Sequence, residues 1–131
     1  KLLILDLLTW MHQKKVDYTN TFCHLMNEKV NEDKIYENED FQNWKKRWNE
    51  RLKTYNNTSN KYFKLMKNVN PLVIPRNHKV EEALEAAEKN DFRPVSQLIE
   101  ILQEPYSPQE NILDYQNPSN LSEKYQTFCG T

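Results

Sequence analysis

One glycine occurs in 131 residues, and it is Gly130, next to the end. Average usage of about 7 % would supply roughly nine. Primed hairpin turns and β-bulges depend on glycine, which enters the left-handed half of φ/ψ space without steric cost. A chain that lacks it is a poor candidate for a sandwich or a barrel. The same deficit removes the loops whose bare backbone N–H groups cradle phosphates. Helices remain, and no strand-period run exceeds a few residues. The length allows one domain of ordinary size.

Eighteen basic and nineteen acidic residues give a formal net charge of −1. No overall field therefore draws the chain to nucleic acid or to an anionic membrane, and neither is expected as a partner. The most apolar window, Leu2–Met11, is interrupted by Asp6 and falls far short of the ~20 residues that span a bilayer. It has no basic stretch before it and no small-residue cleavage site after it, so it does not read as a signal peptide. Cys23 and Cys129 are too few for a disulfide scaffold. Sixteen asparagines are spread along the chain and read as compositional drift.

About six helices are expected. Leu2, Leu3, Ile4, Leu5, Leu7, Leu8, Trp10 and Met11 make the first apolar nearly all round, which predicts burial on several sides. No capping residue precedes it, which points to a piece of a longer chain. A second helix starts from a cap at Asp17 or Thr19 and runs to about Glu28 or Val30. The stretch Asn31–Glu39 reads as a loop. Asn38 or Asp40 caps a third helix with Phe41, Trp44, Trp48, Leu52 and Tyr55 on one face. Thr58 or Ser59 caps a fourth that ends at Asn70-Pro71. A fifth begins at Pro75 or Asn77, with Val80, Ala83, Leu84 and Ala87 at i, i+3, i+4, i+7. Asn90 takes a left-handed stop, Asp91 caps the sixth helix, and Pro94 sits in its first turn. Residues 1–104 thus form a helical region. Residues 105–131 form an irregular tail whose Tyr106, Ile112, Leu113, Tyr115, Tyr125 and Phe128 suit it to lie across another surface.

Few residues promise chemistry. His12, His24, His78, Cys23 and Cys129 have no metal-ligand spacing, and adjacent Cys23 and His24 point about 100° apart on a helix, so no metal site is expected. The run Trp44-Lys45-Lys46-Arg47-Trp48, with Arg51, mixes rings and cations. Helical spacing sends the rings to the core stripe and the cations outward, as a solvated face. Glu81, Glu82, Glu85 and Glu88 crowd an exposed flank near a helix start, without a partner for acid–base work. No catalytic residue is assigned in this chain. Cys129, third from the end, has the access that thiol chemistry requires; on composition alone it is an inert terminal cysteine.

Several motifs together resemble the C-terminal part of the selenoprotein O (YdiU) proteins. These are Asp17-Tyr18-Thr19-Asn20-Thr21-Phe22, Asn70-Pro71-Leu72-Val73-Ile74-Pro75-Arg76-Asn77-His78, and Val80-Glu81-Glu82-Ala83-Leu84-Glu85-Ala86-Ala87 followed by Asn90-Asp91-Phe92. Pro105-Tyr106 and the closing Thr127-Phe128-Cys129-Gly130-Thr131 complete the set. Members usually have Gly where this chain has Asn90, an exchange compatible with a left-handed stop. The resemblance implies the helical C-terminal part of a protein-kinase-like, pseudokinase fold. The family transfers AMP from ATP to protein Ser, Thr or Tyr hydroxyls with a divalent metal, Mg or Mn. Its nucleotide- and metal-binding residues lie in the N-terminal two-thirds, so no cofactor is expected in this chain.

By the same resemblance Cys129, a position where some members carry selenocysteine, is a redox switch whose partner thiol lies outside this chain. The missing N-terminal core is the expected partner, and through it the protein substrates of the parent. The setting is the bacterial cytoplasm, or the mitochondrion if the source is eukaryotic. Asn70, Pro71, Arg76 and Asn77 are read as a helix–helix corner, with Arg76 satisfying carbonyls or a carboxylate and Asn77 capping the fifth helix. The alternative is an autonomous helical module whose exposed Trp and Tyr residues dock a partner protein. A nucleic-acid binder using Lys45, Lys46, Arg47 and Arg51 is a weaker third.

Overall fold

The computed structural model describes residues 2–30, 33–54 and 59–119. Thr58, Tyr55, Tyr125, Phe128 and Cys129 lie outside them. The described residues form α1 (Leu2–Lys14), α2 (Tyr18–Leu25), a 3₁₀ turn (Asp33–Glu37), α3 (Glu39–Lys53), α4 (Ser59–Val69), α5 (Asn77–Glu88), α6 (Arg93–Gln103) and α7 (Ile112–Gln116), with no strand among them. The chain is all-α. It divides into two compact units, Lys1–Leu72 and Val73–Thr131. The division falls in the extended segment after α4.

In the first unit, α1 packs on α3. The 3₁₀ turn, within the stretch expected to be a loop, carries Tyr36 into the core. Asp17 caps α2 by accepting from the Asn20 amide at 2.8 Å. Asn38 caps α3 by accepting from the Phe41 amide at 3.4 Å, and it also accepts from the Trp10 indole at 3.0 Å. One asparagine thus fixes both the start of α3 and the ring of α1 above it. Phe41, fully buried, touches Trp10 (centroids 4.7 Å apart), Tyr36 (5.2 Å) and Trp44 (5.8 Å). Such tilted and offset aromatic contacts stabilise beyond the area they bury. Trp44 donates to the Leu3 carbonyl at 2.7 Å, so the second indole is satisfied as well.

Expected burial of α1 on several sides is not what the unit provides. Leu7, Trp10 and Met11 are buried, whereas Leu2, Ile4, Leu5 and Leu8 are 74, 65, 52 and 41 % exposed. The periodicity marks the apolar positions, and among the described residues α1 packs chiefly on α3, which covers one side of it. The second helix also ends earlier than expected, at Leu25. Asn27 there adopts φ 60°, and the amides of Asn27 and Glu28 return to the carbonyls of His24 and Cys23 in a Schellman stop.

The same stop recurs at Lys15 (φ 52°) after α1 and at Asn90 (φ 62°) after α5, with Asp91 N–H bonding the Ala86 carbonyl. Asn111 (φ 62°) precedes α7. Three of these four left-handed residues are asparagine, the non-glycine residue best suited to that region. Part of the asparagine content that read as drift therefore occupies places where glycine would ordinarily stand.

In the second unit α5 packs on α6 through buried Ala83, Leu98 and Ile101, the alanine allowing close approach. Pro94 sits in the first turn of α6. Asn77 does not cap α5: Arg76 occupies the cap position with extended backbone (φ −80°, ψ 132°), and Asn77 is the first helical residue. Between Pro105 and Ser119 the chain is less irregular than expected, since it forms α7 there. Gln109 donates its amide to the carbonyls of Ile101 and Glu104, both at 2.9 Å, closing the end of α6.

Candidate functional site

The corner motif is where backbone geometry concentrates. On its first-unit side, Asn70 ends α4 by turning both its backbone and side-chain amides onto the Met66 carbonyl, each at 2.9 Å. Pro71 then forbids a further helical turn. The Pro71 and Leu72 carbonyls lie 3.7 and 3.9 Å from the Cys23 thiol, which is fully buried and acts as a weak donor.

On the second-unit side, the Arg76 guanidinium donates to the Gln116 carbonyl at 3.0 Å. Gln116 is 2 % exposed, so this charge-assisted bond anchors the end of α7 to the entry of α5. Three residues on, Lys79 lies 5.9 Å from the Tyr115 ring centroid and forms an ion pair with Glu82 at 3.0 Å. The Lys79 cation thus joins α7 to α5 a second time. Gln116 and Gln109 carry no sequence signal, being isolated glutamines in an aperiodic stretch. Asn77 is exposed and touches none of this.

The other sequence candidates are dispersed. Among the described residues no group of three or more His, Cys, Asp or Glu could hold a metal ion. His12 is exposed, and His24 stacks on Tyr36 at 4.1 Å and 14°. Trp44 is buried and Trp48 half-buried, their rings stacked with centroids 5.8 Å apart. Arg47 pairs with Asp6 of α1. The first unit nevertheless carries 13 basic against 9 acidic residues and the second 5 against 10, so near-neutrality conceals a +4/−5 split. At the start of α6 the Arg93 side chain binds Asp91 through two bonds of 2.8 and 2.7 Å. Those bonds, with the Arg93 amide bonding the same carboxylate, hold the Asp91 pKa down at about 2 and raise that of Arg93. This pair braces a helix start in the open and serves no cleft.

No helix among the described residues is long and apolar enough to cross a membrane. What the described residues define is an all-helical packing module with anchored corners. A family model described as Protein adenylyltransferase SelO matches residues 1–103, and the chain belongs to that family. A relative named Protein nucleotidyltransferase YdiU from Pelagibacter ubique is 49 % identical across all of this chain. Proteins of the same name from Alcanivorax borkumensis and Clostridium beijerinckii are 45 and 40 % identical over 98 % of it. The matches cover 27, 27 and 26 % of those relatives, so the chain spans about a quarter of their length.

Proposed function

We propose that this chain is the helical C-terminal part of a protein adenylyltransferase, which moves AMP from ATP onto Ser, Thr or Tyr hydroxyls of other proteins with release of pyrophosphate. The observation that carries this reading is the family match through residues 1–103, supported by relatives named as protein nucleotidyltransferases. In this reading ATP and Mg or Mn are held by the kinase-like remainder of the protein. The 131 residues brace that remainder, which is their partner, and meet protein substrates only through it. The setting is the bacterial cytoplasm, or the mitochondrion in a eukaryotic source. Cys129 serves as the redox residue and forms a disulfide with a thiol of the remainder when a peroxide-class oxidant accepts the two electrons. Cys23 is unsuited to that role, because its sulfur is sealed in the first unit.

The test uses labelled ATP and Mg or Mn. Label should pass to protein hydroxyls with the full-length protein and not with these 131 residues alone. Robust transfer by the short chain would overturn the reading. In the full-length protein, Cys129→Ser should change the response of activity to peroxide, and an unchanged response removes the switch.

A further inference from the structure

The α5–α6 hairpin has two grooves, and α7 stands over one of them. The two helices join through residues 89–92 and pack side by side, so they run antiparallel. On one side Asp114 and Tyr115 of α7 line a cavity with Lys79 and Glu82 of α5 and Gln97 and Leu98 of α6. At about 100° per residue, Val80, Leu84 and Ala87 of α5 and Val95, Ile99 and Leu102 of α6 fall on the opposite side. That second groove is the more apolar, yet among the described residues it stays open. Leu84 is 54 % and Ile99 52 % exposed, and Phe92 beside the turn 61 %. Scattered exposed aliphatics are ordinary, but a continuous apolar groove marks a place of contact.

We propose that this groove seats residues 121–128 of the same chain. Arg76 holds Gln116 at the entry of α5, so the chain leaves α7 at one mouth of the groove. Residues 120–131 follow, and they reach ~40 Å extended or about 18 Å as a helix. The 11 residues of α6 span about 16 Å, so the length suffices either way. The large apolar residues in that stretch are Leu121, Tyr125 and Phe128, at i, i+4, i+7, the spacing that gives a helix one apolar face. Lys124 adjoins them, and the α5 border of the groove carries exposed Glu81, Glu85 and Glu88. A cation there offsets the like-charge repulsion of Glu81 and Glu85 at i, i+4. A second copy fits less well, because a groove three turns long falls short of the ~800 Å² per partner of a stable interface. Phe128 immediately precedes Cys129, so a filled groove fixes where that thiol stands, whether or not it has the redox role proposed above.

Photocrosslinking of the full-length protein, with p-benzoylphenylalanine placed at Tyr125, tests the assignment. After irradiation, crosslinks leaving residues 120–131 should map to residues 80–102 of the same molecule. Crosslinks to the rest of the polypeptide, to a second copy (a doubled mass) or to nothing overturn the inference. Ile99→Glu, a surface change that spares buried Leu98 and Ile101, should cut the yield of those crosslinks at least threefold. Gln97→Glu, on the α7 side of the same helix, should leave the yield unchanged. Equal yields from the two variants also overturn the inference. The crosslinks read no AMP transfer, so a protein that maps as expected but transfers no AMP removes the activity and leaves the seat standing.

Discussion

The two units reach order by different routes. The first is built on rings: Trp10, Tyr36, Phe41 and Trp44 touch in a chain, and both core indoles find oxygen acceptors. The second contains no such cluster among its described residues. Its core is small and aliphatic, and its helix ends are tied by side chains to carbonyls, Arg76 to Gln116 and Gln109 to Ile101 and Glu104. Aromatic packing concentrates stability in a few large side chains, whereas tethers spread it over many bonds of modest size. The first unit should therefore be fragile to single truncations, and the second to the loss of polar anchors.

Substitutions can break that contrast, and the largest effect belongs to the first unit. Phe41→Ala should cost about 3–5 kcal/mol in denaturant titration, because it empties the centre of the ring cluster. A loss under 1 kcal/mol would mean the rings are not the frame. Arg76→Ala should cost roughly 1–3 kcal/mol by removing the charge-assisted bond to the buried Gln116 carbonyl. Hydrogen exchange should then speed up in α5 and α7 and not in α1–α3; uniform acceleration would refute separate anchoring. At Asn90, alanine should cost about 1 kcal/mol and glycine should be neutral or slightly stabilising, since the site needs φ near 62°. Equal melting of the two variants would argue against a left-handed constraint.

Acid provides the finest probe. The Asp91 pKa is lowered from 3.8 to about 2 in the folded chain, so its contribution is present above pH 4 and lost as pH falls towards 2. Fraying at the start of α6 over that window, followed by hydrogen exchange, should vanish in Asp91→Asn. Persistence of the same pH-dependent change in that variant would assign it to another carboxylate.

Local signals carried most of the fold. Asp17, Asn38, Asn90 and Pro94 each act within three or four residues of themselves, and such short-range chemistry can be read along a sequence. The end of α2 falls earlier than its pattern predicts, because Phe22, Leu25 and Met26 continue a helical periodicity up to a stop set by Asn27. Ahead of α5 two neighbouring residues compete for one cap position, and Arg76, not Asn77, takes it through backbone conformation alone. The Arg76–Gln116 anchor spans 40 positions, and nothing local to Gln116 announces it. The outer face of α1 shows a further limit: an apolar pattern states what must be covered but does not name the cover.

Cys23 gives the first unit an internal clock. Its sulfur has no solvent exposure and sits against two main-chain oxygens, so a soluble thiol reagent reaches it only when that body opens. The rate at which the modified mass accumulates in native buffer thus measures the frequency of those openings, without any engineered label.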